Sequence, residues 1–538
     1  MQAAYRRTNP LSDDERCGLS METQHLLTDE QVAHFITRGY LVLENDLPPG
    51  FHQSILENIA KVYAEEGNPG NNILPRIPQI EKCLTTPKVK GALTSLLGED
   101  YYMHPHRHCH YNRPGQPTPQ AWHKDGYWSP MRSHRPWWAI IFYYTQDVTE
   151  EMGPTGIMPG SQYYESYPGD DSEMRMPCGK AGTMVLVHFD LWHRASHNLS
   201  GIDRYMLKFQ FVRLQAPVYP SWNHQKPELV LPEGVDTLHP HRVIWNDVWN
   251  WMRGREGAAP NSAASEAEPD AQVDAFIVQL GHEDSKVRTH AADRLGLLGG
   301  SARRAVGPLA KAIDDPAEPA ALNAAYALAR IGHEGIPSLL EVLRQGGEAS
   351  AKRAAYGLAA AGEPAVPGLI QELDSENELR AGYAAFALGM MSYSARAAVP
   401  ALIKQLEHRS PWVRRNAVEA LGMIRQPSSV VVPALIRALE QDDTVEEGDT
   451  DAYVKSQKYI RHKIRYTAAL SLLRVGQEQE ARKAVPALSR ALEDEDRYVR
   501  AYAAEALTHI RSDEAVQVMI DYFRKSRWCP STHKASTF

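Results

Sequence analysis

Two different spacings of apolar residues divide the chain. Near its start, LTDEQVAHFITRG sets apolar residues at helical intervals behind Thr28, which can cap the helix while Gln31 completes a capping box; Gly39 then ends it. YLVL follows as a strand. From residue 101 onward short β-rich runs dominate, among them TMVLVHF from Thr183 and YMLKFQFV from Tyr205, separated by Gly and Pro turns. Many short strands behind a helical lead-in predict an antiparallel double-sheet barrel, a double-stranded β-helix or jelly roll with flanking helices, which encloses a ligand cavity between its sheets.

From about residue 270 the pattern becomes Ala- and Leu-rich and repeats itself. AVGPLAKAI, GIPSLLEVL, AVPGLIQEL, AVPALIKQL, VVPALIRAL and AVPALSRAL each open a helical stretch that leads into an Ala-rich second helix. Pro337, Pro367, Pro400 and Pro433 lie 30, 33 and 33 residues apart, and Pro486 follows after 53, an interval lengthened by an insertion around Asp442 to Lys463. Proline in a first helical turn loses no needed hydrogen bond, and Leu402, Ile403 and Leu406 continue one such helix at its own period. A helix pair of this length cannot bury its apolar face alone, so stacked pairs forming an all-α solenoid are expected. DSKVRTHAADRLGLLG, SPWVRRNAVEALGMI and DRYVRAYAAEALTHI resemble HEAT repeats of the short kind found in bilin lyases. The resulting division is multidomain: an extension over 1–25, the barrel over 26–252, a small-residue acidic linker over 253–272, the solenoid over 273–515, and a helix and tail over 516–538.

Composition narrows the function classes. With 538 residues, 43% of them hydrophobic and 23% charged, the chain reads as ordinary globular protein too long for one core. A formal net charge of -8 supplies no field for nucleic acid. The longest apolar runs are too short for a bilayer, and the first residues lack the apolar stretch of a secretory signal, so a cytoplasmic protein is expected. Cys17, Cys83, Cys109, Cys178 and Cys529 show no paired spacing and are expected to be reduced.

The chemistry concentrates in AWHKDGYW. His123 and Asp125 flank one residue, and in an extended strand both project to one side. A neutral imidazole and a carboxylate joined by a distant histidine make the facial triad of non-haem iron(II), with positions left open for a co-substrate and oxygen. LVHFDLWHRASHNLSGIDRYMLKF supplies that histidine: His193 is preferred, with His188 and His197 as alternatives. Arg204, eleven residues beyond His193, can grip a dicarboxylate such as 2-oxoglutarate with two parallel hydrogen bonds.

Over roughly residues 26 to 250 the sequence resembles the phytanoyl-CoA dioxygenase family, in LTDEQVAHFITRGYLVL, WHKDG, VTEEMGPTGIMPGSQ and HRASHNLSGIDR, in that order. The resemblance implies Fe(2+) held by His123, Asp125 and His193, with Arg204 on the distal carboxylate of 2-oxoglutarate. It also implies O2-dependent decarboxylation of that co-substrate to succinate, coupled to hydroxylation of a substrate C–H bond. Related halogenases replace the ligand carboxylate with a small residue, so Asp125 favours hydroxylation. Two positions depart from the family. Phe142 or Ile141 stands where some members set a Trp against the co-substrate, and Gly160-Ser161-Gln162 stands where Gly-Ser-His is common.

Other residues add weaker candidates. His104, His106, His108 and His110 alternate, and would share one strand face, lining the cavity or, less in keeping with the absence of a closing Cys or carboxylate, holding a second metal. His110 is a candidate for co-substrate contact, Arg113 for substrate contact, and Tyr111 and Asn112 share their segment. Tyr127 and Trp128 suit a substrate lip, whereas Trp122 and Trp192, each preceding a ligand, should point away from the metal and pack. Ser166 to Lys180 reads as a loop over the site. The substrate is a small molecule or a protein-borne group, and the solenoid would meet a protein partner, with no membrane or nucleic acid involved. A non-catalytic scaffold acting through the solenoid, or a bilin-lyase-like module, are the competing readings.

Overall fold

The computed structural model describes residues 25–115, 121–125, 131–169, 171–232, 240–255, 270–441 and 463–525. Tyr127, Trp128, Cys17, Cys529, the terminal segments, most of the linker and the 442–462 insertion lie outside them.

The lead-in forms as its residues dictate. Helix α1 (Asp29–Arg38) opens on a capping box in which Thr28 and Gln31 satisfy each other's backbone N–H groups, and it closes at Gly39 in the left-handed region, φ 78°. Strand β1 (Tyr40–Glu44) follows at once, then helix α2 (Pro49–Glu66) and helix α3 (Pro87–Leu97). The remaining strands are β2 (Tyr101–Asn112), β3 (Trp138–Tyr144), β4 (Gly156–Ile157), β5 (Thr183–His188), β6 (His193–Arg194) and β7 (Arg204–Arg213). Five of them make the larger sheet in the order β1-β5-β3-β7-β2, and β4 pairs with β6 in the smaller one. Single bridges widen the smaller sheet, Arg175 onto Ile157 and His123 onto His193. The architecture is the expected β-rich jelly roll with flanking helices.

Alternation assigns the two faces of the larger sheet. On β3 the odd positions face the helices, where Tyr143 Oη lies 2.6 Å from His52 Nδ1 of α2. The even positions face the smaller sheet. Register carries that face across the sheet, with Phe142 opposite Lys208, Lys208 opposite His108, and Arg204 opposite Asn112.

Helix α4 (Arg242–Met252) ends the barrel half. In the solenoid, one helix of each pair stacks on its counterpart in the next: α5 (Ser285–Leu298), α6 (Glu318–Ile331), α7 (Glu348–Ala361), α8 (Glu378–Met390), α9 (Pro411–Ile424), α10 (Lys463–Arg474) and α11 (Arg497–Ile510). Pro367, Pro400 and Pro486 each sit at the second position of a short partner helix. Pro433 corrects the expectation of a uniform first-turn proline. It lies inside Ser428–Glu440, because that helix begins a turn earlier than its counterparts.

The barrel and the solenoid share one connected cluster of buried apolar residues. Polar contacts stitch the same seam. His134 Nδ1 lies 2.8 Å from Tyr326 Oη while its ring stacks on Tyr356, and Arg135 donates to the carbonyl of Met390 at 2.8 Å. Further along, His104 stacks on Tyr498 and lies within hydrogen-bonding distance of Tyr502. No helix among the described residues is long and apolar enough to cross a membrane. Cys83, Cys109 and Cys178 are free thiols.

Candidate metal centre

The HxD segment corrects one expectation. It is extended, but it pairs with the barrel through a single bridge and is not a full strand, with the backbones of His123 and His193 exchanging both hydrogen bonds at 3.0 Å. That bridge suffices to bring the two histidines together, their ring centroids 4.4 Å apart. Ligand atoms of His123, Asp125 and His193 lie within 4.8 Å of one another, and no other such cluster of His, Cys, Asp or Glu occurs among the described residues.

Hydrogen bonding prepares each of the three for a cation. His123 Nδ1 lies 2.9 Å from the carbonyl of Ala121, and His193 Nδ1 lies 2.9 Å from that of Leu191. A carbonyl can only accept, so each Nδ1 carries the proton and each Nε2 keeps its lone pair for a metal. Asp125 is treated likewise. Its Oδ2 takes the Lys208 ammonium at 2.5 Å and the Gln210 amide at 3.1 Å, which leaves Oδ1, 3.8 Å from His193 Nε2, for the same point. Burial would raise the Asp125 carboxyl, but Lys208, His193 and His123 outweigh it and hold the group ionised well below the usual carboxylate range. Burial holds His193 down to about 4 against the pull of Asp125, so its imidazole is neutral at pH 7. Two imidazoles and one carboxylate are the donor set that suits a divalent non-haem iron.

The cavity beside this cluster is equipped for a dicarboxylate. Arg204, on the same face of β7 as Lys208, is buried, and its Nε and Nη1 have no hydrogen-bonding partner. Unpartnered guanidinium N–H groups are costly inside a protein unless a ligand takes them. His110 Nε2, one register step away on β2, is also buried and unpartnered. Phe142 presents its ring to His193 at 5.6 Å, whereas Ile141 points to the other side of the sheet.

Behind this cluster lies a buried charge network that reaches the solenoid. Lys124, whose side chain leaves the strand opposite to its neighbours, donates to the carbonyl of Gln162 at 3.3 Å; burial lowers its pKa to about 8. Arg132 donates to the carbonyl of Asp125 at 2.5 Å and pairs with Asp190 at 3.0 Å, while its own backbone N–H donates to Tyr356 Oη at 2.9 Å. Tyr356 donates onward to Glu165 at 3.0 Å, and Lys352 pairs with the same carboxylate at 2.9 Å.

The other candidates are distributed more widely. His188 is buried, its Nδ1 accepting from the backbone of Asp190, and neither it nor His197 joins the cluster. Arg113 is exposed, its guanidinium 4.8 Å above the Tyr111 ring, and Tyr111 donates to Asp203 on the outer side. Asn112 ties its strand to the carbonyls of Gly153 and Ser196. The four alternating histidines run along β2 from the solenoid toward Arg204. A register irregularity falls between Met103 and Arg107; His104 and His106 both meet Tyr498 of the solenoid, His106 stacks on His108, and His108 meets His110 edge-on. Trp122 and Trp192 pack outward, Trp122 stacked on Tyr167 and Trp192 donating to the carbonyl of Tyr164. The 166–180 loop is tied down as well, because Asp171 accepts from Trp122 at 3.1 Å and Arg175 bridges to Ile157. Gln162, the departure from Gly-Ser-His, donates to the carbonyl of Ile36 and so anchors its turn to the end of α1. Lys208 and Gln210 escaped the sequence reading, although their period-2 spacing from Arg204 placed them on the cavity face.

A jelly-roll domain with a His-Asp-His constellation, carrying a helical solenoid, is the class that fold and site define. Residues 35–206 match the family model of phytanoyl-CoA dioxygenase (PhyH), and residues 272–359, 366–448 and 461–528 match that of HEAT repeats. The chain therefore carries a PhyH domain, a dioxygenase-like unit, followed by HEAT repeats. Among solved structures it is similar to the non-heme alpha ketoglutarate dependent carbocyclase SnoK from nogalamycin biosynthesis, at 17% identity over 38% of this chain and 93% of that one, TM-score 0.30. It is also similar to HygX from Streptomyces hygroscopicus with nickel and 2-oxoglutarate bound, at 14% identity over 38% of this chain and 94% of that one, TM-score 0.29. At these values the likeness carries no argument about substrate or reaction.

Proposed function

We propose that the protein is an Fe(II)- and 2-oxoglutarate-dependent oxygenase of the cytoplasm that hydroxylates a C–H bond of a small-molecule or protein-borne substrate. The observation that carries this reading is the convergence of two Nε2 lone pairs and one free carboxylate oxygen beside a buried arginine with two unpartnered nitrogens. When bound, iron with 2-oxoglutarate supplies oxygen activation coupled to decarboxylation, chemistry that belongs to the cofactor. The chain's own residues bind and orient. His123, Asp125 and His193 would hold the metal, and Arg204, aided by His110, would hold the far carboxylate of 2-oxoglutarate. The buried Phe142 ring, 5.6 Å from His193, would give the co-substrate an apolar wall. The Asp125 carboxylate supports hydroxylation over halogenation. The inner face of the solenoid is engaged with the barrel, so a protein partner would meet the outer helices.

Anaerobic titration with iron(II) and 2-oxoglutarate tests the reading through the visible charge-transfer band of the chelate. The wild type should develop the band, Asp125→Ala should lose it with the metal, and Arg204→Ala should keep the metal but need at least tenfold more 2-oxoglutarate. A folded, iron-loaded wild type without the band would favour the scaffold reading and move attention to the solenoid's partners.

A further inference from the structure

Lys208 is a buried cation beside the metal ligands, and the proposed co-substrate gives it no partner of its own. Lys208 and Arg204 project from one face of β7 four residues apart, about 13 Å between Cα atoms at strand rise, so the two serve different places. In a loaded centre, Asp125 and the keto-acid end of 2-oxoglutarate neutralise a divalent metal, and Arg204 takes the distal carboxylate. Lys208 remains as a surplus positive charge in a site where an unbalanced charge is expensive.

The surroundings of Lys208 add to that surplus. His108 faces it across the β2–β7 pair, and His106 stacks on His108 with centroids 6.3 Å apart. Both rings are half-buried, so this wall is reachable from solvent, and both are held neutral by burial and by the positive charges of Lys208 and Arg497. Neutral imidazoles can donate hydrogen bonds to an anion without carrying a charge. Arg497 arrives from the solenoid. It is exposed at the start of α11, lies 4.7 Å over the Tyr498 ring and donates to Tyr498 Oη at 3.0 Å, and that hydroxyl lies 3.4 Å from His106 Nδ1.

We propose that Lys208, His106 and His108, completed by Arg497 and Tyr498 of the solenoid, form a subsite for an anionic group of the substrate, a carboxylate or a phosphate monoester. This inference rests on the iron and 2-oxoglutarate reading and narrows its substrate class. It also gives the solenoid a part in substrate recognition, since two of the five residues come from α11.

The test is calorimetric titration of the full-length protein, loaded with redox-inactive zinc and 2-oxoglutarate, with hexanoate, hexyl phosphate and hexanol at constant ionic strength. At least one anion should bind tenfold or more tightly than hexanol, and the better of the two identifies the group. Lys208→Met should abolish the preference, with metal content measured alongside because Lys208 touches Asp125. Arg497→Ala, a change at an exposed residue that leaves the fold intact, should weaken anion binding severalfold and hexanol binding not at all. Equal binding of all three probes, or a preference that survives in both variants, overturns the inference. The two failures are distinguishable: an iron chelate band with no anion preference removes only this subsite, whereas absence of the band in the wild type removes the reading beneath it.

Discussion

Asp125 divides its two oxygens between different tasks, and the division makes a prediction about a residue that no ligand motif contains. Oδ2 is occupied by Lys208 and Gln210, which orients Oδ1 toward His193. Gln210→Leu keeps the side-chain bulk and removes one of these two donors. Its metal dissociation constant should rise roughly 10- to 100-fold, as is usual when a ligand loses its orienting partner, with little change in fold. Competition against a chromophoric chelator measures it, and an unchanged constant would mean that Lys208 alone orients the carboxylate. The clustering of His123, Asp125 and His193 was legible because HxD spacing, a distal histidine and a following arginine occur in a fixed order. The orienting residues were not, since YMLKFQFV reads first as an apolar strand and only the tertiary register reveals which of its polar residues face the cavity.

At the scale of elements, local signals decide the ends of helices and packing decides their middles. Thr28→Ala removes the side chain that accepts from the Gln31 N–H in the capping box of α1, and should cost about 1 kcal/mol of stability by denaturant titration. An undetectable change would mean that the tertiary contacts of α1 make its cap redundant. Gly357, inside α7, should behave against intrinsic propensity. Alanine there would gain about 1 kcal/mol as a helix former, but its Cβ would stand 2.6 Å from the carbonyl oxygen of Ala325 on the neighbouring repeat. Because that contact is with backbone, relief requires the repeats to separate, and overpacking of this kind costs roughly 1–3 kcal/mol. Gly357→Ala should therefore lower the melting temperature, and a rise would show that the stack can yield. The caps and the repeat period were visible in the sequence because each depends on residues within one turn or one period. The HxD segment was misread as a full strand because its pairing is set by a single bridge to residue 193, seventy residues away.

At the scale of the molecule, the seam between barrel and solenoid is built from histidines facing tyrosines, and such a seam depends on pH. His134 lies between Tyr326 and Tyr356, with Glu165, Lys124, His241 and Tyr163 also facing it. Burial lowers its pKa to about 3, with Lys124 and His241 adding to the effect and Glu165 opposing it, against 6.5 for the free group. The folded chain therefore refuses a proton that the unfolded chain accepts below pH 6.5. Stability from this residue is fully present above that value and is lost as pH falls toward the folded value. At pH 5 the loss from His134 alone amounts to about 2 kcal/mol, at 1.36 kcal/mol per pH unit. His104 and His188 are also lowered by burial and add to the acid sensitivity. His134→Asn should be less stable than the wild type at pH 7.5, having lost the stacked ring, yet lose about 2 kcal/mol less on going to pH 5. Urea unfolding of both proteins at the two pH values measures the difference. Parallel losses would show that His134 is already solvated and that the seam is held by its apolar contacts, whereas a shallower loss in the variant would identify the interface through which the solenoid braces Arg132, and with it the backbone of Asp125.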